Sequence, residues 1–474
     1  MEKTTRKDFM KRSAAGVFWI PASRMFGQAL PPLNKQVRMA VVGAGGMGRP
    51  TRECLQRGGA TTVALCDVDA VHLEEERARM KANVPIFRDY RKMFDTMEKE
   101  FDAVCISTPD HTHGLVAIEA MRRGKHVYVQ KPLAPTFEEC AVITAFARKK
   151  GVVFQLGNQG HPGCKRYIPL RDAKLWGDIL KIDSWTGKTT TRRMLKQMLG
   201  RRRPTAYPKP IPFDKHQDAA SWELWCGPAP DHGYSKLFAP FLWRTWCDYG
   251  AGPVCDMGIH NMDPAFTALE LGMPYSICCQ CAEASDFAFA DGTKITMKFK
   301  PNRWLPNGVE MTWWDGEIYP DKPLWADPGQ KFAGATKETG NGLMIQGSAF
   351  TTLGDSHAAP PRIIAETGKA WGASGKAAKE EWSAKVNAIA VPDHFKQFVD
   401  AARAADPKMC DANAEYAEPI SQSLNLCALS THFQNEELLF DAATKRITNN
   451  AKADAMLKMT CRPAWDVKKL AGLS

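Results

Sequence analysis

One stretch constrains the fold more than any other. Val37-Arg38-Met39-Ala40-Val41-Val42 runs straight into Gly43-Ala44-Gly45-Gly46-Met47-Gly48. An apolar strand that enters G-x-G-x-x-G specifies a strand–turn–helix unit. Gly43 permits the tight turn, Gly45 lets backbone approach a pyrophosphate, and Gly48 lets the helix pack against the strand, with Gly46 and Met47 completing the loop. The helix then offers free backbone N–H groups and its positive dipole end to phosphates. A second strand, Thr61–Cys66, ends in Asp67, where a carboxylate can accept hydrogen bonds from an adenosine ribose. A phosphate on that ribose would be repelled, so the pattern favours NAD over NADP.

At 474 residues the chain exceeds one ordinary domain. It is 44% hydrophobic and 24% charged, with no apolar run long enough to span a bilayer. The net charge of +11 falls to +7 without residues 1–30, which carry Lys3, Arg6, Lys7, Lys11, Arg12 and Arg24 against Glu2 and Asp8. No nucleic-acid signature accompanies the mild excess. The fourteen cysteines show no paired C-x-x-C spacing, and the cluster Cys278-Cys279-Gln280-Cys281 lies in a β-like run without a nearby His. No metal is expected.

The amino terminus reads as a targeting segment spanning 1–30. Thr5-Arg6-Lys7-Asp8-Phe9-Met10-Lys11 precedes a short apolar stretch, Ala14–Ile20, and small residues surround Ala29. It resembles a twin-arginine export signal with Lys7 in place of the second arginine. Export implies a periplasmic enzyme; if the Arg6-Lys7 variant is not read, the protein stays in the cytoplasm. Outside the cytoplasm there is no dependable NAD pool, so a dinucleotide would have to stay bound and be regenerated in place.

From residue 35 to 156 strands and helices alternate as in a doubly wound parallel sheet. Strands are expected at Val37–Val42, Thr61–Cys66, Pro85–Phe87, Ala103–Ser107, His126–Val129 and Val152–Leu156. Thr136-Phe137-Glu138-Glu139 makes a capping box for the helix to Lys149. From 157 to 474 the pattern is that of a second α/β domain with an open, mostly antiparallel sheet. Lys294–Lys300 alternates strictly, placing Ile295, Met297 and Phe299 on one face, and Val309–Trp313 and Gly342–Gln346 continue it. Helices are expected at Val391–Ala405 and Ile420–Leu438. Between them and the first domain, Thr189–Ser221 reads as a Pro-rich basic loop containing Arg192–Arg203.

Ligands of open α/β sheets bind outside the carboxyl ends of the strands. Ser107-Thr108-Pro109-Asp110-His111-Thr112-His113 follows the fourth strand and Gln130-Lys131-Pro132 ends the fifth, so both face the cofactor. In the second domain, Asp256 and His260 are four residues apart, which on one helix puts them on one face. A carboxylate beside an imidazole holds its tautomer and raises its basicity, as a general base requires. A metal site and a buried structural His remain the alternatives. Trp222, Trp225, Trp243 and Trp246 are available to stack on a sugar ring or to fill a core.

Together these residues resemble the Gfo/Idh/MocA family of oxidoreductases. The glycine motif, Thr108–His113, the E-K-P position at Gln130–Pro132 and D-x-G-x-H at Asp256–His260 stand in family order. Gly157-Asn158-Gln159-Gly160-His161 and Trp243-Arg244-x-Trp246 extend the resemblance to larger, exported members. It implies a Rossmann domain, a second domain whose open sheet packs partner subunits into a dimer or tetramer, and bound NAD. It further implies Lys131, Asp256 and His260 as the catalytic group. Cofactor contacts would come from Gly43, Gly45, Gly46, Met47, Gly48, Asp67, Ser107, Thr108, Pro109, His113, Gln130 and Lys131, with Pro109 against the nicotinamide. Substrate contacts would come from Asn158, His161, Arg166, Trp243 and Arg244. Gln130 departs from the usual Glu and removes a charge beside Lys131, which is expected to lower the lysine's pKa.

The expected activity is NAD-dependent oxidation at a hydroxyl of a sugar, inositol or keto-glycoside. The alternative is a redox-neutral glycoside hydrolase that oxidises, eliminates, hydrates and reduces back, and a third class is a non-catalytic NAD-binding protein.

Overall fold

The computed structural model describes residues 36–187, 206–281, 285–290, 292–316, 318–320, 340–367 and 373–473. The export segment expected at 1–30, and the Arg192–Arg203 stretch of the basic loop, lie outside the described residues.

Six parallel strands make the first sheet: β1 Val37–Val42, β2 Ala60–Cys66, β3 Ile86–Phe87, β4 Ala103–Ile106, β5 His126–Gln130 and β6 Phe154–Gly157. Their order, β3-β2-β1-β4-β5-β6, reverses at β1, so the crevice between β1 and β4 is the switch point where such sheets take ligands. Successive residues face opposite sides. Ala40 and Val42 join the core on one face, and Met39 and Val41 join the core on the other. The register aligns the carboxyl ends, because Val42 pairs with both Cys66 and Ile106, Ile106 with Val129, and Gln130 with Gly157. Gly43, Asp67, Ser107, Lys131 and Asn158 therefore leave the sheet along one edge.

The chain returns to this domain near its end. Phe398 and Val399, on the helix His394–Ala404, close the second face of the sheet. The helix Ala414–Ser430 lies along Phe137–Lys150, where Glu418 accepts from Thr144 Oγ1 at 2.8 Å and Asn425 accepts from Cys140 Sγ at 3.3 Å. The helix expected over Ile420–Leu438 thus begins earlier and stops at Ser430. Asn435 takes a left-handed φ of 60°, which no helix continues, and the next residues form a strand.

That strand belongs to the second sheet. Its members are β7 Ile179–Thr186, β8 Ser276–Cys281, β9 Thr293–Phe299, β10 Val309–Asp315, β11 Asn341–Gly347, β12 Phe350–Gly354, β13 Arg362–Glu366, β14 Glu437–Asp441 and β15 Arg446–Ile447. The order is β13-β12-β11-β7-β10-β9-β8-β14-β15, antiparallel except where β10 runs parallel to β7. Ile295, Met297 and Phe299 are buried on one face, as their alternation requires. The helix Gly258–Leu269 packs there, with Asn261 Nδ2 donating to the Trp185 carbonyl at 2.8 Å and Phe266 meeting Phe299 edge-on at 5.6 Å.

Glu139 sits inside the first domain at 2% exposure, and its Oε1 has no hydrogen-bond partner. Burial pushes its carboxyl up to about 8 from the ordinary 4.5. Between those values the folded chain holds a proton that the unfolded chain has released, so stability falls as pH rises through that window. Glu139→Gln is expected to flatten this loss. Urea unfolding at about pH 5 and about pH 9 checks it, and an unchanged slope in the variant would assign the pH dependence to other groups.

Candidate active site

The glycine loop is tightly constrained. A Cβ on Gly48 would lie 1.8 Å from the Gly43 carbonyl oxygen, and one on Gly43 would lie 2.6 Å from the Ser107 backbone. Gly43 also takes a left-handed φ of 84°. Asp67, closing β2, accepts from the N–H groups of Ala44 at 2.8 Å, Gly45 at 3.1 Å and Asp69 at 2.9 Å. Its first task is therefore to hold the loop. A carboxylate has about four lone-pair positions, which leaves one for a ribose hydroxyl. Burial pushes its carboxyl up, opposed by those N–H donors.

A cleft of about 440 Å³ opens above this edge, lined by Gly43, Gly45, Gly46, Met47, Asp67, Ser107, Thr108, Pro109, Gln130 and Lys131 from the first domain. The residues fit a dinucleotide. The loop's glycines, Gly43, Gly45 and Gly46, leave its backbone open to the cleft, and two polar atoms of the lining, Thr108 Oγ1 and Gln217 Oε1, are buried without a partner. Arg88 at the ribose end gives its terminal nitrogens to Asp218 and to the Val68 carbonyl, so it is not spare for an extra phosphate.

Residues 206–250 form a roof over the cleft. Its core is aromatic: Trp222 stacks on Trp225 at 4.6 Å, with Tyr234, Phe238, Trp243, Trp246 and Tyr249 around them. Trp222 and Trp246 are 3% and 1% exposed and fill this core rather than meeting a sugar, whereas Trp225 and Trp243 line the cleft. The roof is pinned to the Rossmann domain. The His111 ring nitrogens lie 2.7 Å from the Trp225 carbonyl and 2.9 Å from that of Tyr249, Asp110 accepts from the Ala251 N–H at 3.0 Å, and His216 Nδ1 meets the Asp69 carboxylate at 2.9 Å. Sequence reading missed these anchors, since each partner lies far along the chain. Burial pushes the Asp110 carboxyl up to about 7, against the pull of Arg244.

Two residues expected at the cofactor also hold the frame. His113 is buried, its ring nitrogens within 2.8 Å of the Pro132 carbonyl and 2.9 Å of that of Thr108, so it ties the two lining segments together. Gln130 lines the cleft, but its side chain donates to Thr51 Oγ1 at 2.8 Å and accepts from Gln159 at 3.3 Å.

At the inner end of the cleft stand Lys131, before a cis peptide to Pro132, and Arg244, stacked 4.1 Å over Trp243. Lys131 Nζ donates to the Asp256 carboxylate, and to its carbonyl at 3.1 Å. Arg244 Nε lies 3.9 Å from the same carboxylate. Although burial disfavours the charge, Lys131 and Arg244 hold the Asp256 carboxyl below its ordinary value. Asp256 thus supplies the anion that Gln130 does not.

It does not orient His260, as the one-helix spacing predicted. The chain forms two helices here, Gly252–Asp256 and Gly258–Leu269, and the break at Met257 (φ −102°, ψ −29°) removes the shared face. The partner of His260 is Asn158, whose Oδ1 lies 2.7 Å from Nδ1. Asn158 Nδ2 donates to the Asp263 carboxylate at 2.7 Å, to Tyr416 Oη at 2.8 Å and to the Ile259 carbonyl at 3.3 Å, which fixes the amide's direction. An amide oxygen only accepts, so Nδ1 carries the hydrogen and Nε2 keeps its lone pair. Nε2 has no hydrogen bond to any described residue. Burial, reinforced by the Lys131 charge, holds the His260 imidazole well below its ordinary value. It is a neutral base.

The remaining expected substrate contacts move. Asn158 is 0% exposed and positions His260. His161 Nδ1 lies 3.0 Å from Asp263, with its ring 3.8 Å from that of Tyr416, so it braces the same network. His161, Cys164 and Asp263 are close enough to hold an ion, a cluster that spacing alone did not reveal; Asp263 accepts from Asn158, His161 and Thr267. Arg166 does not line the cleft.

The description of the model matching residues 37–158 is "Oxidoreductase family, NAD-binding Rossmann fold", and that of the one matching 205–303 is "Oxidoreductase family, C-terminal alpha/beta domain". Both are models of the Gfo/Idh/MocA family. Among curated relatives, a glycosyl hydrolase family 109 protein from Solibacter usitatus is 33% identical over 30% of this chain and 35% of its own length. An inositol 2-dehydrogenase from Klebsiella pneumoniae is 31% identical over 30% of this chain and 42% of its own. The match thus spans well under half of either relative. The fold matches the WlbA dehydrogenase of Chromobacterium violaceum, solved with NADH and UDP-GlcNAcA, at TM-score 0.56 and 15% identity over 88% of this chain and 99% of that one. An inositol dehydrogenase homologue from Azotobacter vinelandii, solved with NADH and myo-inositol, matches at 0.54 and 14% identity over 86% and 98%. As in the family, the first domain is an NAD-binding Rossmann domain.

Proposed function

We propose that this protein is an NAD-dependent oxidoreductase acting on a hydroxyl of a sugar, inositol or keto-glycoside. The observation that carries the reading is a lysine paired with Asp256 at the inner end of the dinucleotide cleft, whose charge is felt at a neutral imidazole set as a base by Asn158. Bound in the cleft, NAD supplies hydride acceptance and return. An alcohol is too weak an acid to lose its proton unaided near neutral pH, so a positioned base is required. His260 Nε2 takes that proton. Lys131 donates a hydrogen bond to the same oxygen and steadies the charge that develops there, while Asp256 and Arg244 hold Lys131 in place. Trp243 and Arg244 form the wall that the sugar meets.

A second reading, redox-neutral glycoside hydrolysis on a retained dinucleotide, is favoured by the roof. A cover anchored through His111, Asp110 and His216 slows exchange, and the family 109 relative points the same way. The reading carries two further proposals: that residues 1–30 direct export through the twin-arginine route, and that the open sheet joins copies of the chain.

The test is to incubate the purified protein, without added NAD, with polyols and aryl glycosides. NADH appearing in proportion to protein supports the dehydrogenase. Many aglycones released per protein molecule support the hydrolase. Neither product, with nucleotide bound, would leave only a dinucleotide-binding protein.

A further inference from the structure

One exposed side chain outside the residues assigned above meets the buried base. His357 lies in the turn between β12 and β13, and its ring stacks on that of His260, with centroids 4.0 Å apart and planes 20° apart. His260 is 3% exposed, whereas His357 is open to solvent.

The turn is built to hold this placement. His357 and Ala358 both adopt left-handed backbone, with φ of 59° and 50°, a conformation that residues with a Cβ enter at a cost. Their backbone is keyed into the loop that follows β6, the loop that also carries Asn158. A Cβ on Gly160 would come within 2.5 Å of the His357 backbone, and one on Gly163 within 2.5 Å of the Ala358 carbonyl oxygen. Ser356 Oγ lies 2.7 Å from His357 Nδ1, which leaves Nε2 for another partner. Partial burial first, and the Lys131 charge second, disfavour the imidazolium at His357, as at His260. An exposed ring fills no core, and stacking alone requires no nitrogen. The strain, the close backbone approach and the serine bond instead serve to aim an imidazole.

We propose that His357 is a substrate-contacting residue, delivered to the site by the second sheet, and that it binds a sugar or polyol hydroxyl beside the one His260 deprotonates. The proposal rests on the oxidoreductase reading for its chemistry. It also names a contact that can be seen without turnover.

The test uses the nucleotide-loaded full chain, with histidine rings labelled for NMR and myo-inositol as the probe, alongside turnover on the best polyol or glycoside. His357→Phe keeps the stack and removes the nitrogens, and His357→Gln keeps a donor in case the phenylalanine variant does not fold. The expected result is a loss of about tenfold in kcat/KM for His357→Phe, carried by KM, with smaller losses for the glutamine variant, and a shift of the His357 ring signals on adding the polyol. Unchanged kinetics and unmoved His357 signals in an active enzyme would overturn the contact and leave the oxidoreductase reading standing. Ring shifts in a protein that turns over nothing would sustain the contact and remove the reaction. No shift and no turnover would end both.

Discussion

Lys131→Ala is expected to lower turnover by about 10²- to 10⁴-fold, the range for a lost acid–base or charge-positioning group, without releasing the nucleotide. The side chain is 12% exposed and its Nζ lies on the Asp256 carboxylate. Removing it takes away the hydrogen bond to the reacting oxygen and leaves Asp256 with Arg244 alone, at 3.9 Å. Lys131→Arg separates two roles. A guanidinium keeps the positive charge but does not give up a proton near neutral pH, and its planar fork does not occupy the place of a compact ammonium. Loss in both variants assigns a proton-handling or shape-dependent role to the lysine, and recovery in the arginine variant reduces it to a charge. Single-turnover reduction of the bound nucleotide gives the rate free of product release, and fluorescence of that nucleotide reports retention. A loss below about threefold in both variants would place Lys131 outside the reaction.

The pattern of legibility follows from how far each determinant reaches. The edge of the first sheet was readable because each of its features is local: a strand, a turn and the residue just after it. β1 falls on Val37–Val42 as its apolar run requires, and Gly43, Asp67, Ser107 and Lys131 follow from strand ends. Asp256 and His260 were identified as residues, but their relation was not, because the i, i+4 rule assumes a continuous helix and the chain breaks at Met257. Asn158 was misread for a different reason. What it does is decided by Asp263 and Tyr416, 105 and 258 residues further along, and no spacing announces that. The tryptophans of the roof show the limit of composition. The same side chains suit a sugar or a core, and only their burial and the lining of the cleft decide between them. His357 carries no motif at all, and its place depends on a hairpin crossing to meet Gly160.

His260→Ala is expected to match the lysine variant, with about a 10²- to 10⁴-fold loss, and the pH profile makes the assignment specific. The base must be unprotonated to work. Burial first, and Lys131 second, hold the His260 imidazole well below the ordinary 6.5, so activity should persist through mildly acidic pH and fall only as pH drops through that depressed value. Asn158→Asp moves this limb in a known direction. A carboxylate at Nδ1 favours the imidazolium, raising the pKa, so activity should begin to fall at a higher pH than in the natural protein. The variant also sets a carboxylate against Asp263, which currently accepts from the amide at 2.7 Å, so its maximal rate should drop as well. Asn158→Ala leaves Nδ1 without its acceptor; it should lower kcat while leaving the limb low. The competing source of an acid limb is Asp110, pushed up to about 7 by burial. A limb near that value which does not move in Asn158→Asp belongs to Asp110 and not to the histidine. Profiles of kcat/KM for the three proteins distinguish the two groups, because only one of them touches the amide.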